Sequence, residues 1–205
     1  MPNWVFNTVN ISGAVERVAF MENHLGTPYR GDDTGPMNFY QVIAPSDKEW
    51  ESYNSYVPDD TGVPSWYDWN CKHWGTKWNA CNQREATFTK HDNGQATLDL
   101  YFETAWGPPS GIMDKLYHMC VASDLTLDWY WEEEQGFGEE WEMQPNGEFK
   151  LTKIWGIPNS HADHKDQEKE CVCNWEDDPA EWYEDCPGYK VRDETKEEID
   201  GKIQS

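Results

Sequence analysis

The sequence predicts an α+β domain, an antiparallel sheet with helices on one face, followed by an acidic appendage bearing Cys and His. Three observations carry this. Apolar residues recur with period two in some stretches and at near-helical spacing in others, in the order β-α-(β)-α-β-β-α-β-β. Asn93-Gly94 separates two β-prone runs, which is a strong hairpin signal. The 205 residues hold only 31 Leu, Ile, Val and Phe, which with high net charge reads as disorder, yet they hold 13 Trp and 10 Tyr. Each buried aromatic ring removes roughly 150–250 Å² from water, so a core is within reach, but an aromatic one.

The elements follow in order. Trp4 to Ile11 reads as a strand, with Trp4, Phe6 and Thr8 on one face and Val5, Val9 and Ile11 off it. Ala14 to Leu25 reads as a helix on the spacing of Val15, Val18, Ala19 and Leu25, with Ser12 as N-cap and Gly26 as its stop. Residues 26–37 are loop, Asn38 to Ala44 a short strand, and residues 45–65, with Pro45, Pro58 and Pro64, mostly loop or insertion. Trp66 to Asn70 is helix-like. Ala86 to Thr89 and Ala96 to Thr104 form the hairpin, with Leu98, Leu100 and Phe102 on one face and Asp99, Tyr101 and Glu103 on the other. Pro108-Pro109-Ser110 opens a helix to Cys120, with Ile112, Leu116 and Met119 on one side. Leu125 to Glu133 is a strand with Leu125, Leu127, Trp129 and Trp131 alternating. After Gly136-Phe137-Gly138, the stretches Glu140 to Met143 and Glu148 to Ile154 continue the sheet around Pro145-Asn146-Gly147.

Charge divides the chain. There are 39 Asp and Glu against 16 Lys and Arg, a net −23, of which −9 falls within residues 159–205. A boundary is expected near Pro158-Asn159-Ser160: residues 1–158 form the domain, and 159–205 an extension that is poorly ordered, metal-clipped or ordered by a partner. The charge opposes binding to phosphate backbones and anionic lipid, since such affinity comes from Lys and Arg. No apolar stretch is long enough to span a bilayer, and Met1-Pro2-Asn3-Trp4 has neither the basic nor the apolar region of a signal peptide. The expected location is the cytoplasm of a bacterial host, with the six cysteines as reduced thiols or metal ligands.

Four ordered blocks carry a family resemblance. They are Met1-Pro2-Asn3-Trp4 with Asn7 and Ile11-Ser12-Gly13; Asn70 to Ala80, chiefly Trp74-Gly75-Thr76-Lys77-Trp78-Asn79-Ala80; Phe102 to Pro109; and Trp131-Glu132-Glu133-Glu134 with Gly136-Phe137-Gly138. Together they resemble the YubB-like, ferredoxin-like domain family of plasmid and phage proteins. The resemblance implies a ferredoxin-like core and a mobile-element origin, and no activity. The family usually carries Cys where Val5 stands, so no thiol role exists there.

Several groups are candidates for function. In the block Trp74 to Trp78, Lys77 beside Trp74 or Trp78 suits a cation–π contact, and Asn70 and Thr76 suit bracing a turn. A recognition surface is one account; a structural corner in which Trp74 and Trp78 plug the core is the plainer one. Trp106 is likewise expected to fill the core. The densest acidic patch is Glu132-Glu133-Glu134 with Glu139, Glu140 and Glu142. Solvation explains it most simply, engagement of a basic groove comes next, and catalysis or hard-metal binding last, because strand alternation sends Glu132 and Glu134 away from Glu133. In the extension, His161, His164, Cys171 and Cys173, with Cys186 further on, suit zinc, although the common Cys-x2-Cys spacing is absent. Cys71 and Cys81 are assigned to packing. The nucleophile-elbow and phosphate-loop patterns are absent.

Resemblance and charge together lead to a non-enzymatic interaction protein of a mobile element. It would be an acidic inhibitor or modulator of a basic host protein that handles nucleic acid or serves defence, acting by nucleic-acid mimicry. The alternatives are a single-stranded nucleic-acid-binding module stacking bases on Tyr101, Trp129 and Trp131, a metal-dependent enzyme, and a virion or assembly component.

Overall fold

A computed structural model describes residues 3–31, 35–53, 66–134 and 136–155. The expected boundary near residue 158, and the extension beyond it, lie outside the described residues.

Eleven elements are present among the described residues. Strand β1 (Trp4–Ala14) is followed by helices α1 (Val15–Leu25), α2 (Phe39–Val42), α3 (Asp47–Tyr53) and α4 (Trp66–His73). Strands β2 (Thr87–Lys90) and β3 (Gln95–Ala105), helix α5 (Ser110–Ala122) and strands β4 (Thr126–Glu133), β5 (Gly138–Met143) and β6 (Phe149–Trp155) complete the order. The sheet runs β2-β3-β1-β4-β5-β6, antiparallel at every pairing. Within it, β1-α1-β2-β3-α5-β4 is the ferredoxin-like split β-α-β arrangement. Helices α2 to α4 are inserted after α1, and the β5–β6 hairpin widens the sheet past β4.

Alternation in β1 sends Val5, Asn7, Val9 and Ile11 to the covered face and Trp4, Phe6, Thr8 and Asn10 to the open one. Opposite them on the covered face lie Leu98, Leu100 and Phe102 of β3 and Leu127, Trp129 and Trp131 of β4. Helix α1 packs on β1 and β3, and α5 on β4, through Val18, Met21, Leu25, Ile112, Leu116 and Cys120. Burial pushes the Cys120 thiol up to about 12, so it packs as a neutral group.

The shortage of aliphatics is met by a chain of edge-to-face rings through the core. Trp129 meets Phe102, Phe102 meets Phe39, Phe39 meets Trp74, and Trp74 meets Trp69, with centroids 5.6–5.9 Å apart. Such pairs add about 0.5–1.5 kcal/mol each beyond their buried area.

Four expectations are corrected. Asn38 to Ala44 is not a strand: the Asn38 side chain accepts the Tyr40 N–H at 3.1 Å, capping α2 instead. Ser12 does not cap α1; it lies in β1 and its hydroxyl bonds that of Thr126 at 2.6 Å. Residues 45–65 contain helix α3. Trp106 does not fill the core but is 51 % exposed, held at φ 73 with its N–H donated to the Asn3 carbonyl.

Helix α3 begins with a capping box that sequence inspection passed over. The Ser46 hydroxyl accepts the Glu49 N–H at 3.3 Å, and the Glu49 carboxylate accepts the Ser46 N–H at 2.8 Å. Hydrogen bonds from the Ser46 hydroxyl and N–H, and then from the Trp69 indole, hold the Glu49 carboxyl down at about 2. Its folded value lies below its unfolded value, so this stabilisation is present above the ordinary carboxylate range and is lost as pH falls toward 2. Ser46→Ala is expected to destabilise the domain by about 1 kcal/mol. The loss should shrink in urea titrations run at successively lower pH.

Candidate functional site

Among the described residues, the helices pack on one side of the sheet and leave the other side open. Register fixes what it displays. Asp99 of β3 pairs with Asn10 of β1, Asn10 with Asp128 of β4, Asp128 with Glu142 of β5, and Glu142 with Lys150 of β6. The next row is Tyr101, Thr8, Tyr130, Glu140 and Lys153, and the third contains Glu103, Phe6 and Glu132. Six carboxylates therefore share this face. Adjacent strands lie roughly 4.8 Å apart, so the acids form a two-dimensional array rather than a point cluster.

The array has three cations, and all of them sit toward its margins. Arg84 covers the Tyr101 ring at 4.0 Å. Lys150 reaches Glu148 at 3.2 Å, and Lys153 lies 6.0 Å from the Trp155 ring. Trp155 stacks on Tyr130 at 5.1 Å, and the Tyr130 hydroxyl is hydrogen-bonded to Glu132. The Tyr130 hydroxyl is raised by burial first, then by its bond to Glu132 and by the charges of Glu132 and Glu140.

Asp128 and Glu142 stand directly opposite one another, and like charges in that position destabilise a sheet. The Asp128 carboxyl is raised above its usual value of 3.8, first by partial loss of solvation and then by the charges of Glu142 and Glu140. An N–H bond from Met143 opposes the rise. Asp128 is an exposed residue, so solvent screens these charges.

The structure splits the predicted acidic patch. Glu132, Glu140 and Glu142 belong to the open face. Glu133 pairs with Val5, on the covered side of the register, and Glu134 is in the exposed turn, its N–H donated to the Trp4 carbonyl. Glu139 also turns to the covered side and accepts the indole N–H groups of Trp131 at 3.1 Å and Trp141 at 2.8 Å. Asp99 and Glu103, set by strand alternation on the face opposite Leu98, Leu100 and Phe102, join the array, and Asp128 joins it too. The signal was their period-two alternation with buried neighbours; the array itself is legible only once the pairing register is known.

The aromatic corner also divides. Trp74 is fully buried and donates its indole N–H to the Ile43 carbonyl at 2.9 Å. Lys77 does make the expected cation–π contacts, lying 4.6 Å from Trp78, 4.5 Å from Trp106 and 5.8 Å from Tyr67. Trp78 is half-buried against Trp4. Asn70 and Thr76 brace the turn, donating to the carbonyls of Lys77 and Ala105 at 2.8 Å each. Gly75 sits at φ 84, where an added Cβ would lie 2.5 Å from the Ser110 hydroxyl, so the motif needs glycine there.

Trp129 and Trp131 point into the core at 1 % and 3 % exposure, so they offer no stacking platform. Of the three rings named for base stacking, Tyr101 alone is on the open face. Cys71 is exposed rather than packed. No group of three or more His, Cys, Asp or Glu side chains converges on a metal-sized site among the described residues. His161, His164, Cys171 and Cys173 lie outside the described residues. Among the described residues, no helix is long and apolar enough to cross a membrane.

Comparison with known proteins addresses the fold. No curated protein matches the chain. The crystal structure of protein api92 from Yersinia pseudotuberculosis is similar at 9 % identity and a TM-score of 0.42, over 78 % of this chain and 100 % of that one. A family model described as the ferredoxin-like domain in Api92-like protein matches residues 73–170, just under half of the chain. The match takes in the Trp74 to Trp78 corner, the Phe102 to Pro109 elbow and the glutamate run. Residues 73–170 are thus similar to the ferredoxin-like domain in Api92-like protein, and the sheet described above is a ferredoxin-like one.

Proposed function

We propose that this is a non-enzymatic interaction protein whose open, acidic sheet face occupies the basic groove of a host protein that handles nucleic acid or serves defence. In this reading it inhibits or retunes that protein by standing in for a phosphate backbone. The observation that carries the reading is the like-charge pairing of Asp128 with Glu142 inside an array of six carboxylates, with cations confined to its margins. Opposite charges do meet across strands at the β6 edge, Glu142 with Lys150 and Glu140 with Lys153, whereas Asp128 and Glu142 face each other as like charges further in, an arrangement that costs the sheet stability. Fixed carboxylates on a rigid surface lose little conformational entropy when a partner binds, and their field steers a basic partner into contact. The mobile-element origin rests on the resemblance of the four sequence blocks to the YubB-like family. Residues 159–205 add a further net −9 to the charge of the chain.

The test is capture from bacterial host lysate by the full chain and by an E132Q/E140Q/E142Q variant, at low and high salt. The expected result is a basic protein held at low salt, released at high salt and by added duplex DNA, and bound on the order of tenfold more weakly by the variant. Capture that ignores salt, DNA and the substitutions would sink the proposal. The same face makes a second, partner-free prediction. Because Lys150 opposite Glu142 makes its ion pair with Glu148 instead, Glu142→Gln alone should stabilise the fold by about 0.2–1 kcal/mol at neutral pH. The Asp128 carboxyl is raised in the fold, so its contribution is full below 3.8 and lost as pH rises through its folded value. Removing the Glu142 charge should lower that folded value, which carbon-detected NMR titration reads directly.

A further inference from the structure

The β5–β6 hairpin carries the sheet beyond the helical layer, and its covered-side aromatics are left facing α5 across a cleft of about 260 Å³. Its floor is buried Trp131 and Met113. One wall is the stacked pair Tyr117 and Phe149, with centroids 5.3 Å apart, and Trp141 lies 5.5 Å beyond Phe149. The Tyr117 hydroxyl donates to the Gly147 carbonyl at 2.7 Å, tying α5 to the hairpin turn and holding the wall in place.

Two carboxylates enter this aromatic cleft from opposite elements. Glu139 of β5 has one oxygen, Oε2, fixed by the indole N–H groups of Trp131 and Trp141. That leaves Oε1 as an acceptor directed by a rigid anchor. Asp114 of α5 is at the exposed mouth, where its nearest basic group is His118, one turn along the helix at 3.7 Å. Among the described residues, no Lys or Arg lines the cleft. Flat aromatic walls with fixed anions suit a planar, weakly hydrated cation that stacks and donates several N–H groups at once. An ammonium group is compact and strongly hydrated and uses such walls less well.

We propose that this cleft is a guanidinium site, which takes an arginine side chain of a protein partner, with Glu139 and Asp114 as its anions and Trp141, Tyr117 and Phe149 as its walls. Only the source of the arginine rests on the basic partner proposed above; the cleft is on the opposite side of the sheet from the acidic array and stands without it.

The experiment is a titration of the full chain, followed by the indole N–H resonances of Trp131 and Trp141. The ligands are N-acetylarginine amide, its neutral citrulline analogue and N-acetyllysine amide. The expected result is a saturable shift with arginine, none with citrulline and at least a fivefold weaker response with lysine. Glu139→Gln keeps an oxygen for both indoles while removing the charge, and should weaken arginine at least tenfold. Asp114→Asn, on the exposed face of α5, should weaken it about threefold without disturbing the core. The E132Q/E140Q/E142Q variant should bind arginine as the parent does. No saturable shift, an equal response to citrulline or lysine, indifference to both cleft substitutions, or loss of response in the open-face variant each overturns the proposal. Failed capture from lysate with an intact arginine response would remove the open-face reading alone.

Discussion

Trp74→Ala is expected to cost about 3–5 kcal/mol of folding stability, the range for deleting a large buried aromatic. Trp74 is fully buried and ties α2 to α4: it meets Phe39 and Tyr40 of α2 at 5.6 and 4.9 Å and Trp69 of α4 at 5.7 Å, and its indole N–H donates to the carbonyl of Ile43, the C-cap of α2. Removing it opens a cavity among rings that cannot collapse inward, because each is held by a further ring. It also strands the Ile43 carbonyl, for which about 1–3 kcal/mol is the usual range if no water reaches it. A domain of this size has roughly 5–15 kcal/mol in total, so the variant should melt about 6–20 °C below the parent. Trp74→Phe keeps most of the packing and loses the hydrogen bond, and should fall by about 1–2 kcal/mol. Urea titrations of the two variants check both numbers. A loss below about 1.5 kcal/mol for the alanine variant would mean that the corner is not a keystone of the insertion.

That corner shows what was legible in the sequence and what was not. The Trp-rich composition announced an aromatic core, and period-two patterns in β1, β3 and β4 placed Val9, Leu98 and Leu127 on its covered face. The hairpin at Asn93-Gly94 and the helix after Pro109 follow from local backbone chemistry, which a sequence carries directly. The α2 segment, Asn38 to Ala44, was misjudged because Phe39-Tyr40-Gln41-Val42 has β propensity. A single capping bond from Asn38, and the packing of Phe39 against Trp74 and Phe102, outweigh that propensity. Trp106 was misplaced for a related reason: large aromatics are usually buried, but at φ 73 the backbone turns this ring outward over Lys77.

The candidate site was half legible. Net charge gave the sign of the surface, and the glutamate run pointed to β4 and β5. Its division between faces depends on register, and a one-residue shift exchanges the two faces. Gly138 pairs with Glu132, so Glu140 and Glu142 go to the open side and Glu139 to the aromatic cleft. Alternation alone puts Asp99 on the polar face of its strand, but Asp99 and Asp128 become neighbours in an array only through their shared pairing with Asn10 of β1, far away in sequence.

Asn7 carries the second large expectation. It sits on β1 among Val5, Val9 and Ile11, fully buried, between Phe102 and Trp131. Its amide N–H₂ donates to the Val5 carbonyl at 3.0 Å and to the Thr104 hydroxyl at 3.1 Å, and its oxygen accepts the Trp129 indole N–H at 3.1 Å. Thr104 passes the chain on to the Gly107 carbonyl at 2.9 Å, which fixes the elbow before α5. Asn7→Ala leaves the Trp129 N–H without a partner in a dry core, as well as removing packing, and should destabilise by about 2–4 kcal/mol. Trp129→Phe removes the stranded donor together with its partner requirement. In the double variant Asn7→Ala/Trp129→Phe, the losses should therefore fall short of additivity by about 1–2 kcal/mol. Strict additivity in a double-mutant cycle would show that the indole finds another acceptor. In that event, Asn7 would be conferring packing alone rather than holding the central strand, the Trp129 ring and the α5 elbow in one network.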